Sequence, residues 1–143
     1  MGACLLPAHY VPEARAVVLD TNVFVAAGFD PSSSSARLLA AVRKGRLQLV
    51  WNDATREETA RILRRIPRLS WDTVAPLFRA PDRFAGATCP AAFDCVPDPA
   101  DRKFAALAHA ADVVLVTSDR GLLRSAGCAG ITVVTPSAFE HRP

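Results

Sequence analysis

The chain has 143 residues, of which 50% are hydrophobic and 22% charged, and its formal net charge at pH 7 is +3. This size and balance suit one globular domain and exclude a disordered chain. No apolar run approaches the roughly 20 residues that a membrane-spanning helix needs. The opening MGACLLPAHY lacks the basic start of a secretory signal peptide. The four cysteines show no metal-binding spacing, so we expect free thiols and a cytoplasmic protein.

The first predicted strand ends on an acid. Residues 1–14 contain Pro7 and Pro12 and predict an irregular segment. Residues 16–19 then form a short apolar run, which is typical of a strand buried on both faces. Asp20 follows directly, either as a turn residue or as a functional group.

Predicted helices and strands alternate through the rest of the sequence. Helices are indicated by apolar residues at helical spacing, with capping residues before them and Gly or Pro at their ends. The predicted helices are 34–45, 54–66, 70–80, 100–111 and 119–127, and the predicted strands are 47–51, 92–96, 113–117 and 131–135. This order predicts an α/β three-layer sandwich, with a central, mostly parallel sheet of four to five strands flanked by helices.

Aspartates fall where two strands end and where one helix begins. Asp20 follows the first strand and Asp119 follows residues 113–117, so both should lie at the carboxyl edge of a parallel sheet. In α/β proteins this edge carries the working site. Asp98 and Asp101 lie at the start of the helix that leads into residues 113–117. Asp119 and Asp98 could also be helix N-caps. The structural interpretation is favoured for Asp98, whereas a functional role is favoured for Asp20 and Asp119 because each follows a β-branched run.

The helix 54–66 carries two glutamates with different surroundings. At about 100° per residue, Glu58 borders the apolar face, and Glu57 points to solvent, where it can pair with Arg61. Thr55 and Glu58 also fit a capping box, as an alternative structural role. Asn52 and Asp53 can cap the same helix.

Taken together, these carboxylates predict a cation site. Several carboxylates at one edge repel each other unless a cation neutralises them. Oxygen ligands alone select Mg²⁺ or Mn²⁺ rather than zinc. Such ions suit phosphodiester hydrolysis because they activate water and stabilise charge on the phosphate. Apart from His109, no histidine lies near these segments in the sequence, which argues against a histidine general base. His109 is interpreted as a structural residue.

The motifs in these segments closely resemble the PIN-domain family. They are VVLDTNVFVAA, EETARIL, DPADRKFAALAHAADVVLVTSD and RGLL, in that order. The similarity runs from about residue 16 to residue 136, within a PIN-like nuclease domain expected over residues 15–143. It is greatest to the toxin components of bacterial toxin–antitoxin systems.

The resemblance assigns roles to individual residues. The four acids of the family fall on Asp20, Glu58, Asp101 and Asp119, with Asp98 as an auxiliary acid. Asn22, Thr117 and Ser118 match polar positions that support the site through hydrogen bonds. The acidic run around Asp101 is sparser than is usual in this branch, because Ala100 and Arg102 interrupt it.

The resemblance also implies a function and partners. It implies a Mg²⁺- or Mn²⁺-dependent ribonuclease in which Asp20, Asp101 and Asp119 bind metal, while Glu58 binds a second metal or orients water. The products would carry a 5′-phosphate and a 3′-hydroxyl. A cognate antitoxin and a homodimer are typical of such relatives. We expect RNA contacts from arginines on and after the Glu58 helix: Arg56, Arg61, Arg64 and Arg65.

Two other functions compete with this one. A phosphatase of the haloacid dehalogenase type also begins with an Asp at a strand end, but it needs a second Asp where this chain has Asn22. A non-catalytic module that binds RNA or protein is the other alternative. The presence of all four acids argues against it. Trp51 and Trp71 could stack on bases, but burial in the core is expected for both.

Overall fold

The computed structural model describes residues 15–142, without the side chain of Cys128. The predicted irregular segment 1–14 lies outside these residues. The strands are β1 (Arg15–Leu19), β2 (Leu47–Leu49), β3 (Val114–Val116) and β4 (Val133–Val134). The helices are α1 (Thr21–Phe29), α2 (Ser34–Arg43), α3 (Asp53–Arg64), α4 (Trp71–Val74), α5 (Arg102–Ala111), α6 (Arg120–Arg124), α7 (Ala126–Ala129) and α8 (Pro136–Glu140).

The four strands form one parallel sheet in the order β2-β1-β3-β4. The chain moves outward from β1 to β2 and then returns to the other side of β1 to form β3. The crevice beyond the carboxyl ends of β1 and β3 is therefore the point where the strand order reverses, which is the usual ligand site of open parallel sheets.

A hydrophobic core covers each face of this sheet. Because side chains alternate along a strand, Val17 and Leu19 pack with α1, α2, α3 and α8 on one face. Val18 and Leu115 pack with α5 and α6 on the other. Trp51 and Trp71 are buried in the first core, as the sequence predicted. These two cores give the helix–sheet–helix layers of the predicted sandwich.

Three of the predicted strands were too long, and one is absent. β2 ends at Leu49 rather than at residue 51, and β4 covers only Val133–Val134 of the predicted 131–135. The brief strand predicted at 92–96 is wrong. The chain forms a 3₁₀ turn over Pro90–Phe93, where Pro90 fixes φ and removes an N–H that a strand would use.

Helix starts and ends also differ from the sequence patterns. Residues 21–29, for which no element was predicted, form α1. The side chains of Val23 and Phe24 are buried on one side of this helix. Asn52, not Thr55, caps α3: its side chain accepts a hydrogen bond from the Thr55 amide, and Thr55 bonds back to Asn52. The helix predicted over 119–127 is two helices, α6 and α7, and the second ends at Ala129, where Gly130 rather than Gly127 is the C-cap.

The expectation that all four cysteines are free thiols is wrong. Cys95 is disulfide-bonded, whereas Cys89 is free and exposed. Cys4 and the Cys128 side chain lie outside the described part of the chain. Tertiary packing, which spacing cannot reveal, brings the loop at Cys95 against the α6–α7 turn, where Ser125 Oγ donates to the Cys95 carbonyl at 3.4 Å. Within residues 15–142, no helix is both long and apolar enough to cross a membrane.

Candidate functional site

Asp20 and Thr117 lie side by side at the carboxyl edge of the sheet. Leu19 of β1 pairs with Val116 of β3, so the next residue of each strand extends the same register. The Asp20 amide donates to the Val116 carbonyl at 3.0 Å. The Thr117 hydroxyl donates to Asp20 Oδ2 at 2.7 Å. The parallel pairing thus places the first candidate acid at the switch point.

Asp20 is a buried carboxyl group, only 2% exposed. Burial raises its pKa from 3.8 to about 6, and the charges of Asp119 and Glu58 act in the same direction. The hydrogen bond from Thr117 and the amide of Thr21 oppose the rise in the pKa. Asp20 precedes α1, but its side chain makes no capping hydrogen bond to that helix. A role for Asp20 as a turn residue therefore does not account for the burial of its side chain.

Asp119 combines a structural contact with a place at the same edge. Its amide donates to Thr117 Oγ1 at 2.9 Å, and its Oδ2 accepts from the Leu122 amide at 2.9 Å, which caps α6. The alternative interpretation of Asp119 as a helix N-cap is thus confirmed. A Cβ atom at Gly121 would lie 3.0 Å from Asp119 Oδ2. Glycine at position 121 leaves room for this carboxylate.

Asp101 comes to the edge from the start of α5. It is half-buried, and its pKa rises to about 7. Burial is the largest cause, followed by the negative charges of four carboxylates: Asp20, Asp98, Asp119 and Glu58. Asp98 itself is exposed and caps the 3₁₀ turn Pro99–Asp101 by accepting from the Ala100 amide at 2.9 Å. The sequence favoured that capping role for Asp98.

Glu58 faces the edge from α3 but is already paired with two cations. Its side chain is 13% exposed, whereas Glu57 is exposed, as helix geometry predicted. Arg61 donates to both Glu58 oxygens at 3.1 and 3.0 Å, and Lys103 Nζ lies 3.3 Å from Oε1. The expected ion pair of Glu57 with Arg61 is wrong. Arg61 pairs instead with the more buried carboxylate of Glu58, which needs a partner because burial of an unpaired charge is costly.

Two further threonines link the elements that carry the acids. Thr21 Oγ1 lies 3.0 Å from Thr59 Oγ1, and both side chains are buried. Thr21 follows Asp20 in the chain and Thr59 follows Glu58, so this bond fixes α1 against α3 beside both acids. No motif in the sequence singled out these two threonines or Lys103, which lies two residues after Asp101. Their adjacency to the acids was the available signal. Asn22 and Ser118, predicted as supporting residues, are exposed.

The donor set suits a hard divalent cation, although the carboxylates are not gathered around one point. All four groups offer oxygen only, and repulsion among them contributes to the raised pKa values of Asp20 and Asp101. In the described part of the chain, no three Asp, Glu, His or Cys side chains converge as a ready ligand set. Two of the four carboxylates already have other partners: Glu58 is paired with two cations, and Asp119 caps α6.

Arginines of α3 and the Arg65 that follows it border a groove. The groove has a volume of about 500 Å³, and its basic lining is Arg56, Arg61, Arg64 and Arg65. Arg56 and Arg64 also lie over the ring of Trp71, at 5.1 and 5.9 Å from its centroid. The four arginines thus form one basic surface, which also includes Glu57 and which Arg61 links to Glu58.

Thr117→Val should destabilise the protein at pH 7 by about 1–3 kcal/mol. The change keeps the shape but removes the bond to buried Asp20 and the acceptor of the Asp119 amide, and groups left unpaired in the interior cost about this much. Urea unfolding curves measure the loss. Thr117→Ser, which keeps the hydroxyl, is the control and should lose less. Equal stability of the valine variant and the parent would contradict this account of Asp20.

Comparison with known proteins identifies the fold. A family model described as PIN domain matches residues 16–121. The chain is similar to a structure of FitAB bound to an IR36 DNA fragment, with 18% identity and a TM-score of 0.59 over 89% of this chain and 99% of that one. It is also similar to FitAcB from Neisseria gonorrhoeae, with 19% identity and a TM-score of 0.56 over 85% and 98%. The chain matches no curated protein sequence. These similarities confirm the predicted α/β sandwich.

Proposed function

The chain belongs to the PIN-domain family, and we propose that residues 15–143 form a divalent-metal-dependent endoribonuclease, the toxin of a toxin–antitoxin pair. One observation carries the proposal: Asp20 is buried at the β1–β3 switch point, with its pKa raised to about 6 beside Asp119 and Glu58. A buried carboxylate under such repulsion is suited to binding a cation. The PIN fold supports the choice of a nuclease.

Each acid has a role in the proposed site. Asp20, Asp101 and Asp119 would hold Mg²⁺ or Mn²⁺, and Glu58 would hold a second ion or orient the attacking water. When bound, the ion supplies positive charge that stabilises the phosphate in the transition state and lowers the pKa of water. Thr117 fixes the direction of the Asp20 carboxylate through its 2.7 Å hydrogen bond. Asn22, Ser118 and Asp98 are proposed as outer contacts of the same site.

RNA and a second protein are the proposed partners. The basic surface formed by the four arginines would bind the phosphates of an RNA strand that reaches the acids. FitAB, which shares the fold, is bound to a DNA fragment in its structure. By analogy with toxin relatives, we propose a cognate antitoxin, a homodimer and action in the cytoplasm.

Metal-dependent cleavage and the chemistry of the new ends test the proposal. With Mn²⁺, the protein should cut single-stranded or hairpin RNA into fragments that ligate to an adapter requiring a 5′-phosphate, and EDTA should stop the reaction. A 2′-deoxy substitution at the cleaved position should leave cleavage in place, because the 2′-hydroxyl is not the nucleophile. This control separates the activity from a contaminating ribonuclease that uses the 2′-hydroxyl and leaves a 5′-hydroxyl.

A non-catalytic RNA-binding module is the second candidate. The pairing of Glu58 with Arg61 and Lys103 favours it, because these cations occupy a proposed metal ligand. RNA that binds the protein in Mn²⁺ yet stays intact across many sequences would support this candidate and contradict the nuclease.

A further inference from the structure

The two cations that hold Glu58 differ in their contacts. Arg61 donates to both carboxylate oxygens, at 3.1 and 3.0 Å, whereas Lys103 reaches only Oε1, at 3.3 Å. Both Arg61 bonds come from Nη2 and are shorter than the single contact of Lys103, whose ammonium is a point charge on a flexible stem. The lysine contact is therefore the easier one to exchange.

Lys103 approaches Glu58 from the acidic edge itself. It is the second residue of α5 and lies two residues after Asp101. Its ammonium is 3.3 Å from the Glu58 carboxylate, and its side chain is 25% exposed, so the ammonium is also within reach of solvent. Arg61, by contrast, comes from α3, the same helix as Glu58, and is 46% exposed.

We propose that Lys103 is a phosphate-binding residue of this site. It pairs with Glu58 in the free protein and turns to an RNA phosphate when a divalent cation binds beside Glu58. The inference rests on the proposed function for the nature of the cation and of the nucleic acid.

The charges at the edge supply the physical reason for this exchange. A divalent cation and the Lys103 ammonium compete for the same negative charge, since both are attracted to the Glu58 carboxylate. An RNA phosphate that approaches this edge is repelled by those acids whose negative charge the cation does not neutralise. A lysine released there offsets the repulsion at the place where the strand must lie.

A merely structural role for Lys103 makes a different prediction. If Lys103 only held α5 against α3 through Glu58, its loss would loosen the site. Cation binding and RNA binding would then weaken together. In the exchange proposed here, loss of the lysine removes a competitor of the cation and a ligand of the phosphate. The two affinities must then move in opposite directions.

Lys103→Met is the variant that separates these roles, because it removes the charge and keeps an unbranched stem. Mn²⁺ binding without RNA, measured by titration calorimetry, should tighten by about threefold to tenfold. RNA binding with Mn²⁺, measured by fluorescence anisotropy at low temperature on RNA that gels show to be intact, should weaken by a similar factor. Its salt slope should fall by about 0.7, as expected for one lost phosphate contact to a single strand.

Two further variants control the result. Lys103→Arg should restore RNA binding because it keeps the charge. Lys44→Met removes the chain's other lysine, which is exposed at the end of α2, and should leave Mn²⁺ affinity as in the parent. Affinities for Mn²⁺ and RNA that fall together, or that both stay at the parent values, would overturn the inference.

The outcomes also distinguish this inference from the proposed function. If the parent cleaves RNA and Lys103→Met shifts neither affinity, the inference about Lys103 is wrong and the nuclease proposal stands. If the parent never cleaves but the two affinities move in opposite directions, Lys103 contacts phosphate in an RNA-binding module and the nuclease proposal is wrong.

Discussion

Asp20→Asn is expected to reduce RNA cleavage by about 10²–10⁴-fold while leaving the protein folded. Loss of a metal-binding carboxylate removes several kcal/mol of transition-state stabilisation, which corresponds to a rate change of this size. The amide has nearly the shape of the carboxylate, and its oxygen can still accept the hydrogen bond from Thr117. The measurement is a cleavage time course in Mn²⁺, alongside circular dichroism of both proteins.

The same variant should be more stable than the parent when no metal is present. Burial raises the pKa of Asp20 from 3.8 to about 6. At pH 7 the folded protein therefore carries an unfavourable buried charge, with a cost of up to about 3 kcal/mol at 1.36 kcal/mol per pH unit. Asparagine removes that charge. Urea unfolding in EDTA measures the gain. Loss of activity with a gain in stability is typical of a site that strains the fold.

A matched variant shows whether the effect belongs to the site. Asp30→Asn makes the same chemical change at an exposed position ten residues later, and cleavage should continue at the parent rate. Mn²⁺ should raise the melting temperature of the parent more than that of Asp20→Asn, because the variant lacks one proposed ligand. Undiminished cleavage by Asp20→Asn would falsify the proposed role of this residue.

The position of Asp20 was predictable because it depends on local pattern alone. A short apolar strand that ends on an acid, followed by a second such strand before Asp119, places both residues at one edge of any parallel sheet. The structure adds the register, Leu19 opposite Val116, and so the Thr117 contact to Asp20. No sequence period encodes which residue of one strand faces which of another.

The partners of Glu58 were not predictable for the same reason. Helix geometry separated Glu58 from the exposed Glu57, but Lys103 comes from a helix 45 residues away in the chain. Arg61 pairs with Glu58, the less exposed of the two acids, and Lys103 of α5 contacts the same carboxylate. Local preferences of an isolated helix, in which Glu–Arg pairs at i,i+4 are favourable, do not include this burial.

In the metal-free protein, the free energy of unfolding should fall as the pH rises from about 4 to about 7. The pKa of Asp20 is raised from 3.8 to about 6, so the folded state binds more protons than the unfolded state across this window. Stability is therefore greatest below the unfolded pKa and decreases until the pH passes the folded pKa. Asp20 alone gives a decrease of up to about 3 kcal/mol. Asp101, with its pKa raised to about 7, extends the decrease toward pH 7.

Carboxyl groups with lowered pKa values act outside most of this window. Arg37 lowers the pKa of Glu140 to about 2, and the pKa of Asp30 and of Asp53 is also lowered by hydrogen-bond partners. Their stabilisation is present above their unfolded pKa values and is lost as the pH falls toward their folded values. Between about pH 5 and 7, the slope of stability with pH therefore reports Asp20 and Asp101.

Urea unfolding at several pH values, in EDTA and in Mn²⁺, tests this pH dependence together with the metal proposal. Mn²⁺ should reduce the decrease, because ionised carboxylates bind the cation and its binding strengthens with pH. Asp20→Asn should show a flatter slope in EDTA than the parent, since it lacks the buried titrating group. A parent whose stability rises from pH 5 to 7 in EDTA would contradict the burial of charge at Asp20. A slope that Mn²⁺ leaves unchanged would contradict cation binding by these acids.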